Sequence, residues 1–292
     1  MNEELIESYI DGLVSVITPM YNAKEYILDT IQSVLNQTYD MVEMIIVDDD
    51  SSDGSGAVAL EYLEQHSDSV IEDCYSIQGK KVRLLKNESN AGIVFSRNRA
   101  LNEAKGRYIA FLDSDDLWDE NKLEKQITFM KEQDVDFCYS ACRVIDENGC
   151  PTGRVREVPE RASYEELLKE NFIPCLTVVA DRKRIPTEHL LMPNIRHEDY
   201  GAWLNVLRPN AETTGIGGRT EEICAAGLTE VLASYRVNAS SASGNKIKAA
   251  IWHWKVLRKQ EKLSVFQSLK YMFYYGTGVI KRYSQREENG QD

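Results

Sequence analysis

Asp113-Ser114-Asp115-Asp116 sets three carboxylates within four residues, directly after the apolar run Tyr108-Ile109-Ala110-Phe111-Leu112. Carboxylates held so close at the end of a buried strand repel one another, and a cation relieves that repulsion. A hard divalent ion with oxygen ligands is the natural partner, and it can bridge onward to phosphates. The alternative is a solvated acidic turn capping a helix that begins near Asn121. Asp48-Asp49-Asp50 closes a second apolar run, Val42 to Val47, in the same way. Its carboxylates can accept hydrogen bonds from a base N–H or a ribose hydroxyl. Asn90, Gly92 and Arg97 form a polar turn that opens a helix. Arg97 and Arg99 also fit a solvated helix face, and for Arg99 that is the reading we favour.

These groups are far apart in the chain, so regular elements must gather them. Leu13 to Thr18, Val42 to Val47, Val82 to Leu85, Tyr108 to Leu112 and Val135 to Cys142 are short apolar, β-branched or aromatic runs that read as buried strands. Between them, Ala23 to Asn36, the stretch through Val58, Leu60 and Leu63, Ile93 to Ala104 and Leu123 to Met130 carry apolar residues at helical spacing. Ser52 or Asp53 is placed to cap the second of these helices. Such alternation predicts a mostly parallel sheet with helices on both faces. In that architecture ligands bind beyond the C-terminal ends of the strands, at a topological switch point. Thr18, Asp48 to Asp50, Asn87 to Asn90 and Asp113 to Asp116 all follow strands, so one sheet edge is expected to collect them.

Past Gly149 the alternation weakens. Ser163 to Lys169 predicts a short helix capped by Ser163, Cys175 to Ala180 a strand, and His197 to Leu207 a helix with Tyr200, Trp203, Leu204 and Leu207 on one face. Pro209 to Gly227 reads as a loop, Val231 to Val237 as the last strand, and Asn245 to Tyr283 as helical and aromatic.

The 292 residues suffice for a sizeable core, and the formal net charge of -13 argues against a nucleic-acid partner. The acid is unevenly spread. After Gly244 there are ten Lys and Arg against four Asp and Glu, so an acidic body carries a basic tail. Trp252, Trp254, Phe266, Tyr271, Phe273, Tyr274 and Tyr275 interleave there with Lys246, Lys248, Lys255, Arg258, Lys259, Lys262 and Lys270. That mixture suits an interfacial helix on an anionic membrane; it equally suits helices packed on the body with lysines outside. Met1 to Asp11 lacks the basic start and apolar run of a signal peptide, and no stretch reaches the ~20 apolar residues needed to span a bilayer. The six cysteines show no disulfide framework or zinc spacing, and Cys138 and Cys142 read as packing residues. A cytoplasmic location is therefore expected, at the inner face of the membrane if the tail is interfacial.

Val14-Ser15-Val16-Ile17-Thr18-Pro19-Met20-Tyr21-Asn22, Ser33 to Thr38, Ile45 to Ser55, Asn90 to Leu101 and Gly106 to Trp118 together resemble the family 2 glycosyltransferases. The resemblance is close over the N-terminal half and continues, less tightly, beyond it. It is nearest to bacterial transferases of wall and capsular polysaccharides, including those of teichuronic acid. It implies a GT-A fold and inverting transfer of a sugar from a nucleoside diphosphate, here expected to be a UDP-sugar, to a glycan or lipid-linked glycan acceptor. The catalytic domain would span 1–244, with a nucleotide-binding half at about 12–145, an acceptor half at 146–244, and the tail at 245–292.

Carried over by residue, the resemblance implies a donor site of Thr18, Pro19, Tyr21, Asp49, Asn90, Gly92, Arg97, Asp113, Ser114 and Arg236. Thr18 and Asp49 would contact the base, with Arg97 assisting. Asp115 would be the principal ligand of Mn2+ or Mg2+, with Asp113 and Asp116 as further ligands. Arg196-His197-Glu198-Asp199-Tyr200 is similar to the family's Glu-Asp motif, which makes Asp199 the expected general base. Tyr235-Arg236-Val237, with Ser240, Ser241 and Ser243 to Lys246, resembles the segment that closes over the diphosphate. The sequence departs from the pattern at Asp50, where a glycine is usual, at Asn238, where many relatives carry His, and in the longer stretches Gln65 to Lys80 and Pro209 to Gly227. A binding protein without activity is the rival reading, opposed by the intact acidic cluster and Asp199. A dinucleotide oxidoreductase is disfavoured because Gly54-Ser55-Gly56 lacks the third glycine of the fingerprint.

Overall fold

The computed structural model describes residues 9–209, 222–237 and 246–288. The first half runs β1 (Ile10–Met20), α1 (Ile27–Leu35), β2 (Val42–Asp48), α2 (Ser55–His66), β3 (Ser69–Ile71), β4 (Cys74–Ile77), β5 (Lys80–Lys86), α3 (Ile93–Asn102) and β6 (Gly106–Phe111). Then follow β7 (Leu117–Trp118), α4 (Lys122–Gln133), β8 (Phe137–Ile145), β9 (Pro151–Arg156), α5 (Tyr164–Lys169), β10 (Val179–Asp181), α6 (Thr187–Leu190) and α7 (Glu198–Leu207). The chain closes with β11 (Ala225–Arg236), α8 (Lys246–Lys255) and α9 (Val265–Glu288).

The strands join in one sheet in the order β3-β4-β5-β2-β1-β6-β10-β8-β11-β7, with β9 also on β8. Pairing is parallel across β5-β2-β1-β6 and between β8 and β11, and antiparallel elsewhere. Because the central strands are covered on both faces, their apolar runs are continuous and supply two cores. Val14, Val16, Met44, Ile46, Tyr108 and Ala110 point to the face covered by α1, α2 and α4. Ile17, Ile45, Val47, Ile109 and Phe111 point to the opposite face, under α3 and α7, where Trp203 is fully buried against Phe111 and Phe137.

Register decides which residues meet. Met20 pairs with Asp48, Asp48 with Lys86, and Ile17 with Phe111. The residues just beyond these pairs therefore emerge side by side. The connection β1–α1–β2 places β2 on one side of β1, and β5–α3–β6 crosses over to place β6 on the other, so the switch point lies between β1 and β6.

Several segments differ from expectation. Gln65 to Lys80 holds the hairpin β3–β4, added antiparallel to the edge of β5. Cys175–Thr177, expected in a strand, is a 3-10 turn leading into β10, because this segment has to turn before it pairs with β6. The last strand begins at Ala225 rather than Val231, and the remainder of the predicted loop lies largely outside the described residues. Ser163 caps α5 with a reciprocal Ser163–Glu166 capping box, as predicted. The tail packs on the body: His253 stacks between Tyr200 and Tyr275, Val256 and Leu257 are buried, and Gln260 donates to the Gly201 carbonyl at 2.8 Å.

At the start of α4, Lys122 is fully buried and its Nζ has no hydrogen-bond partner; it lies 4.0 Å from the centre of the Trp118 ring. Burial pushes its amine down to about 7. An unfolded lysine titrates near 10.4, so between about 7 and 10 the unfolded chain binds more protons and stability should rise with pH. Replacing Lys122 by Met should raise stability at pH 7 by about 2 kcal/mol and flatten that rise. Urea unfolding of both proteins at pH 7 and pH 9.5 checks it; a less stable variant with the slope intact contradicts it.

Candidate active site

A cavity of about 540 Å³ opens at the switch point. The end of β1 contributes Pro19 and Met20, and the segment after it Tyr21, Asn22, Ala23 and Tyr26; Asp49 follows β2; Asn90 and Gly92 precede α3, and Ile93 and Ser96 lie in its first turn; Asp113, Ser114 and Asp115 follow β6. Of the expected donor-site residues, Pro19, Tyr21, Asp49, Asn90, Gly92, Asp113, Ser114 and Asp115 thus share one cavity. Thr18 does not line it. It is fully buried in β1 and its hydroxyl has no partner. The residues that face the cavity from this strand end are Pro19, Met20 and the half-exposed Tyr21.

Asp49 is buried, and its carboxylate organises the wall opposite the acidic turn. Its Oδ1 accepts from Asn87 Nδ2 at 2.6 Å and Ala91 N–H at 2.9 Å, and its Oδ2 accepts from Gly92 N–H at 2.8 Å. Burial opposes ionisation, yet these hydrogen bonds outweigh it and hold the carboxyl below the usual carboxylate range. Arg99 belongs to the same brace and not to a solvated face: it donates to the Lys86 carbonyl at 2.8 Å and to Asn87 Oδ1 at 2.6 Å. Asp50 has φ 58, which explains why a glycine is usual there; an aspartate is among the few side chains that tolerate that region. Gly56 is needed for a different reason. A Cβ there would stand 2.4 Å from Asp48 Oδ2, so the glycine makes room for a carboxylate and not for a pyrophosphate.

The acidic turn divides its carboxylates between two sides. Asp113 and Asp115 line the cavity. Burial, then repulsion from Asp113, pushes Asp115 up to about 6. Asp116 is turned away and buried, and its Oδ1 accepts the Arg236 N–H at 2.8 Å. Burial and its two neighbours raise it well above the usual range. Among the described residues no three carboxylate, His or Cys groups are placed to hold an ion together. Of the three aspartates expected from the sequence as metal ligands, Asp113 and Asp115 line the cavity, and Asp116 is turned towards Arg236. Arg236 also stands behind the turn. Its Nε donates to the Asp115 carbonyl at 2.7 Å, its Nη1 to the carbonyls of Asp146 and Glu147, and its guanidinium lies 4.6 Å from the Tyr26 ring centre. Here it supports the turn from below and does not line the cavity. Asn238 and the Ser240 to Asn245 stretch expected to close over a diphosphate lie outside the described residues.

Arg97 does not line the cavity either. It is 2% exposed, with Nη2 on Asp113 Oδ1 at 2.5 Å and Nη1 on Glu198 Oε1 at 2.9 Å. Burial alone would favour the neutral form, but Asp113 and Glu198 hold the guanidinium charged. Periodicity does not reveal this role; the signal is only that an arginine sits on the buried side of α3. Glu198 opens α7 behind His197, whose φ of 60 turns the chain into the helix. Asp199 follows on that first turn. It lies outside the cavity lining, and with Asp113, Glu198 and Arg97 it is within electrostatic reach of the partly buried Cys175. Burial, then the Glu198 charge, raises Asp199 above the usual carboxylate range.

A mixed sheet with an acidic turn at the switch point and covering helices on both faces defines a glycosyltransferase of the GT-A fold. Residues 15–184 match the model of Glycosyl transferase family 2, and the chain belongs to that family. It is 38% identical over 271 residues to the putative teichuronic acid biosynthesis glycosyltransferase TuaG of Bacillus subtilis, covering 92% of this chain and 97% of that one. It is 36% identical over 281 residues to WfgD of Escherichia coli, a UDP-Glc:alpha-D-GlcNAc-diphosphoundecaprenol beta-1,3-glucosyltransferase, covering 96% and 99%. Staphylococcus aureus TarS 1–349 in complex with UDP-GlcNAc has the same fold, with a TM-score of 0.62 at 17% identity over 90% of this chain and 71% of that one. The Pyrobaculum calidifontis mannosyltransferase PcManGT with GDP-Man and Mn2+ superposes with a TM-score of 0.58 at 15% identity, over 95% and 77%.

The Asp49 brace generates a test. Asp49→Asn keeps the shape but sets an amide NH2 against N–H donors. It should cost about 1–3 kcal/mol at pH 7. A carboxyl whose folded value is depressed stabilises above its unfolded value near 3.9 and loses that contribution as pH falls through the folded one. The gap between wild type and variant in urea midpoints should therefore shrink as pH drops below about 4. An equal gap at pH 7 and pH 3 contradicts the brace.

Proposed function

We propose that the chain moves a sugar from a UDP-sugar to a hydroxyl of a glycan, with inversion, in the synthesis of a bacterial surface polysaccharide. The observation that carries this reading is the convergence of the cavity-facing pair Asp113–Asp115 with the Asp49-braced loop at one switch point. The names of TuaG and WfgD support the polysaccharide setting. WfgD's acceptor, a diphosphoundecaprenol-linked sugar, supports a lipid-linked acceptor here. The division of labour we propose is a nucleotide half at about 12–145, an acceptor half at 146–244, and the tail after it.

Tyr21 would lie against the base, with Pro19 beside it, and the free lone pair of Asp49 would accept from a base N–H. Asn90, the Gly92 backbone and Ser114 would contact the ribose and phosphates. Thr18 and Arg236 would act from behind the cavity, through backbone placement. The residues present fit Mn2+ or Mg2+: two oxygen donors of like charge face the cavity, one of them with its carboxyl pushed up by burial and then by the other. Asp115 would be the principal ligand and Asp113 the second, leaving other positions to phosphate and water. Such an ion supplies charge neutralisation on the departing diphosphate.

Asp199 would take the proton from the acceptor hydroxyl as the new bond to the anomeric carbon forms. A raised carboxyl makes a stronger base, worth ~10²–10⁴-fold in turnover when positioned. The Arg97–Glu198 pair keeps Glu198 from competing for that proton.

Two measurements test the assignment. Asp115→Asn should stay folded yet lose Mn2+-dependent UDP binding in calorimetry together with turnover; full activity would remove Asp115 from the site. Asp199→Asn should lower turnover by roughly 10²-fold or more with UDP affinity little changed. Because Asp199 must be ionised, the acid limb of kcat/KM should fall above the usual carboxylate range, near 4. Near-normal turnover of Asp199→Asn would leave the base elsewhere.

A further inference from the structure

The outward face of α9 is more apolar than a solvated helix needs. Phe266 is 86% exposed, Phe273 70% and Leu269 54%. Their spacing of three and four residues puts them in one stripe. The opposite face is fixed: Ser268 is fully buried, Tyr271 nearly so, and Tyr275 stacks on His253 with ring centres 4.6 Å apart. The stripe is thus held outward by packing behind it. Lys270 is exposed on α9 next to Leu269, and Lys259 and Lys262 are exposed in the segment that leads into the helix.

We propose that this face of α9 docks the enzyme on an anionic lipid bilayer, with Phe266, Leu269 and Phe273 seated among the acyl chains and Lys259, Lys262 and Lys270 on the headgroups. The charges select the occupant. A second copy of the chain would bring lysines of the same face against each other, whereas an anionic surface complements them. Aromatic and aliphatic side chains on one face with lysines at the margins are what a helix lying in the interface requires. No helix among the described residues is long and apolar enough to cross the membrane, so the contact is along the surface.

The position also matters. Trp252 of α8 packs edge-on against His197, with ring centres 5.2 Å apart, directly before Glu198 and Asp199. Docking α9 therefore fixes the helix that carries Asp199 relative to the bilayer, where a lipid-linked acceptor would be held. The inference extends that reading of the acceptor, but vesicle binding is measured without acceptor, so either can fail alone.

Full-length protein is sedimented with phosphatidylcholine vesicles with and without phosphatidylglycerol. Binding is expected on the anionic vesicles and is expected to weaken as salt rises, since the Debye length falls to about 3 Å at 1 M. Phe266→Glu with Phe273→Glu should reduce partitioning roughly 10-fold or more, and Lys262→Glu with Lys270→Glu should do so on anionic vesicles. Both residue pairs are exposed, so unchanged thermal unfolding and unchanged UDP release on a lipid-free acceptor should accompany the loss. Equal binding by wild type and the Phe double variant overturns the proposal, as does no binding by wild type. Light scattering that shows a wild-type dimer dispersed by the Phe variant would assign the face to self-association instead.

Discussion

An arginine buried to 2% exposure stays charged and needs carboxylates to compensate that charge, and Arg97 draws its two from opposite halves of the chain. Asp113 follows the strand at the switch point; Glu198 opens the helix that carries Asp199. Removing one partner of such an arrangement leaves a charge stranded in the interior, at a cost of about 3–5 kcal/mol. The guanidinium thereby ties the acidic turn to α7 at a fixed separation. It also occupies one oxygen of Asp113 and the carboxylate of Glu198, which leaves Asp115 and Asp199 as the less engaged members of each pair.

The other groups around the cavity follow the same logic of fixing backbone with buried charge. Asp49 is held by three donors from the loop before α3, so that loop presents Asn90 and Gly92 to the cavity at low reorganisation cost. Arg236 uses its guanidinium on three backbone carbonyls and its N–H on Asp116, which anchors the acidic turn from beneath. Thr30 adds to this by donating to the carbonyls of Ser114 and Asp116, both at 3.0 Å. The result is a turn whose exposed side is acidic and whose buried side is fully committed to structure.

Much of this arrangement was legible in the sequence because it depends on short-range signals. Apolar runs ending in aspartates located the strand ends, and sheet register then had to bring Asp49, Asn90, Gly92, Asp113 and Asp115 together. The directions of individual side chains were not legible. Asp116 and Asp115 are adjacent, yet one faces Arg236 and the other the cavity, a difference set by the turn's dihedral angles and by β11 arriving from 120 residues away. Thr18, Arg97 and Arg236 carry polar groups that suit a ligand, but each is enclosed by partners or core from distant segments. The hairpin β3–β4 was hidden for a plainer reason: its strands are three and four residues long and lean on the edge of β5. The tail's helical pattern was visible, while its seat on Tyr200 and Gly201 depends on tertiary contacts alone.

The central claim is that Arg97 couples the acidic turn to the helix bearing Asp199, and a double-mutant cycle measures that coupling directly. Urea unfolding of wild type, Arg97→Met, Glu198→Gln and the double variant isolates the pairwise interaction. The ion pair predicts that the two single losses exceed the double loss by about 1–3 kcal/mol. Losses that add to within about 0.5 kcal/mol would mean that the two residues act independently, and would contradict the account.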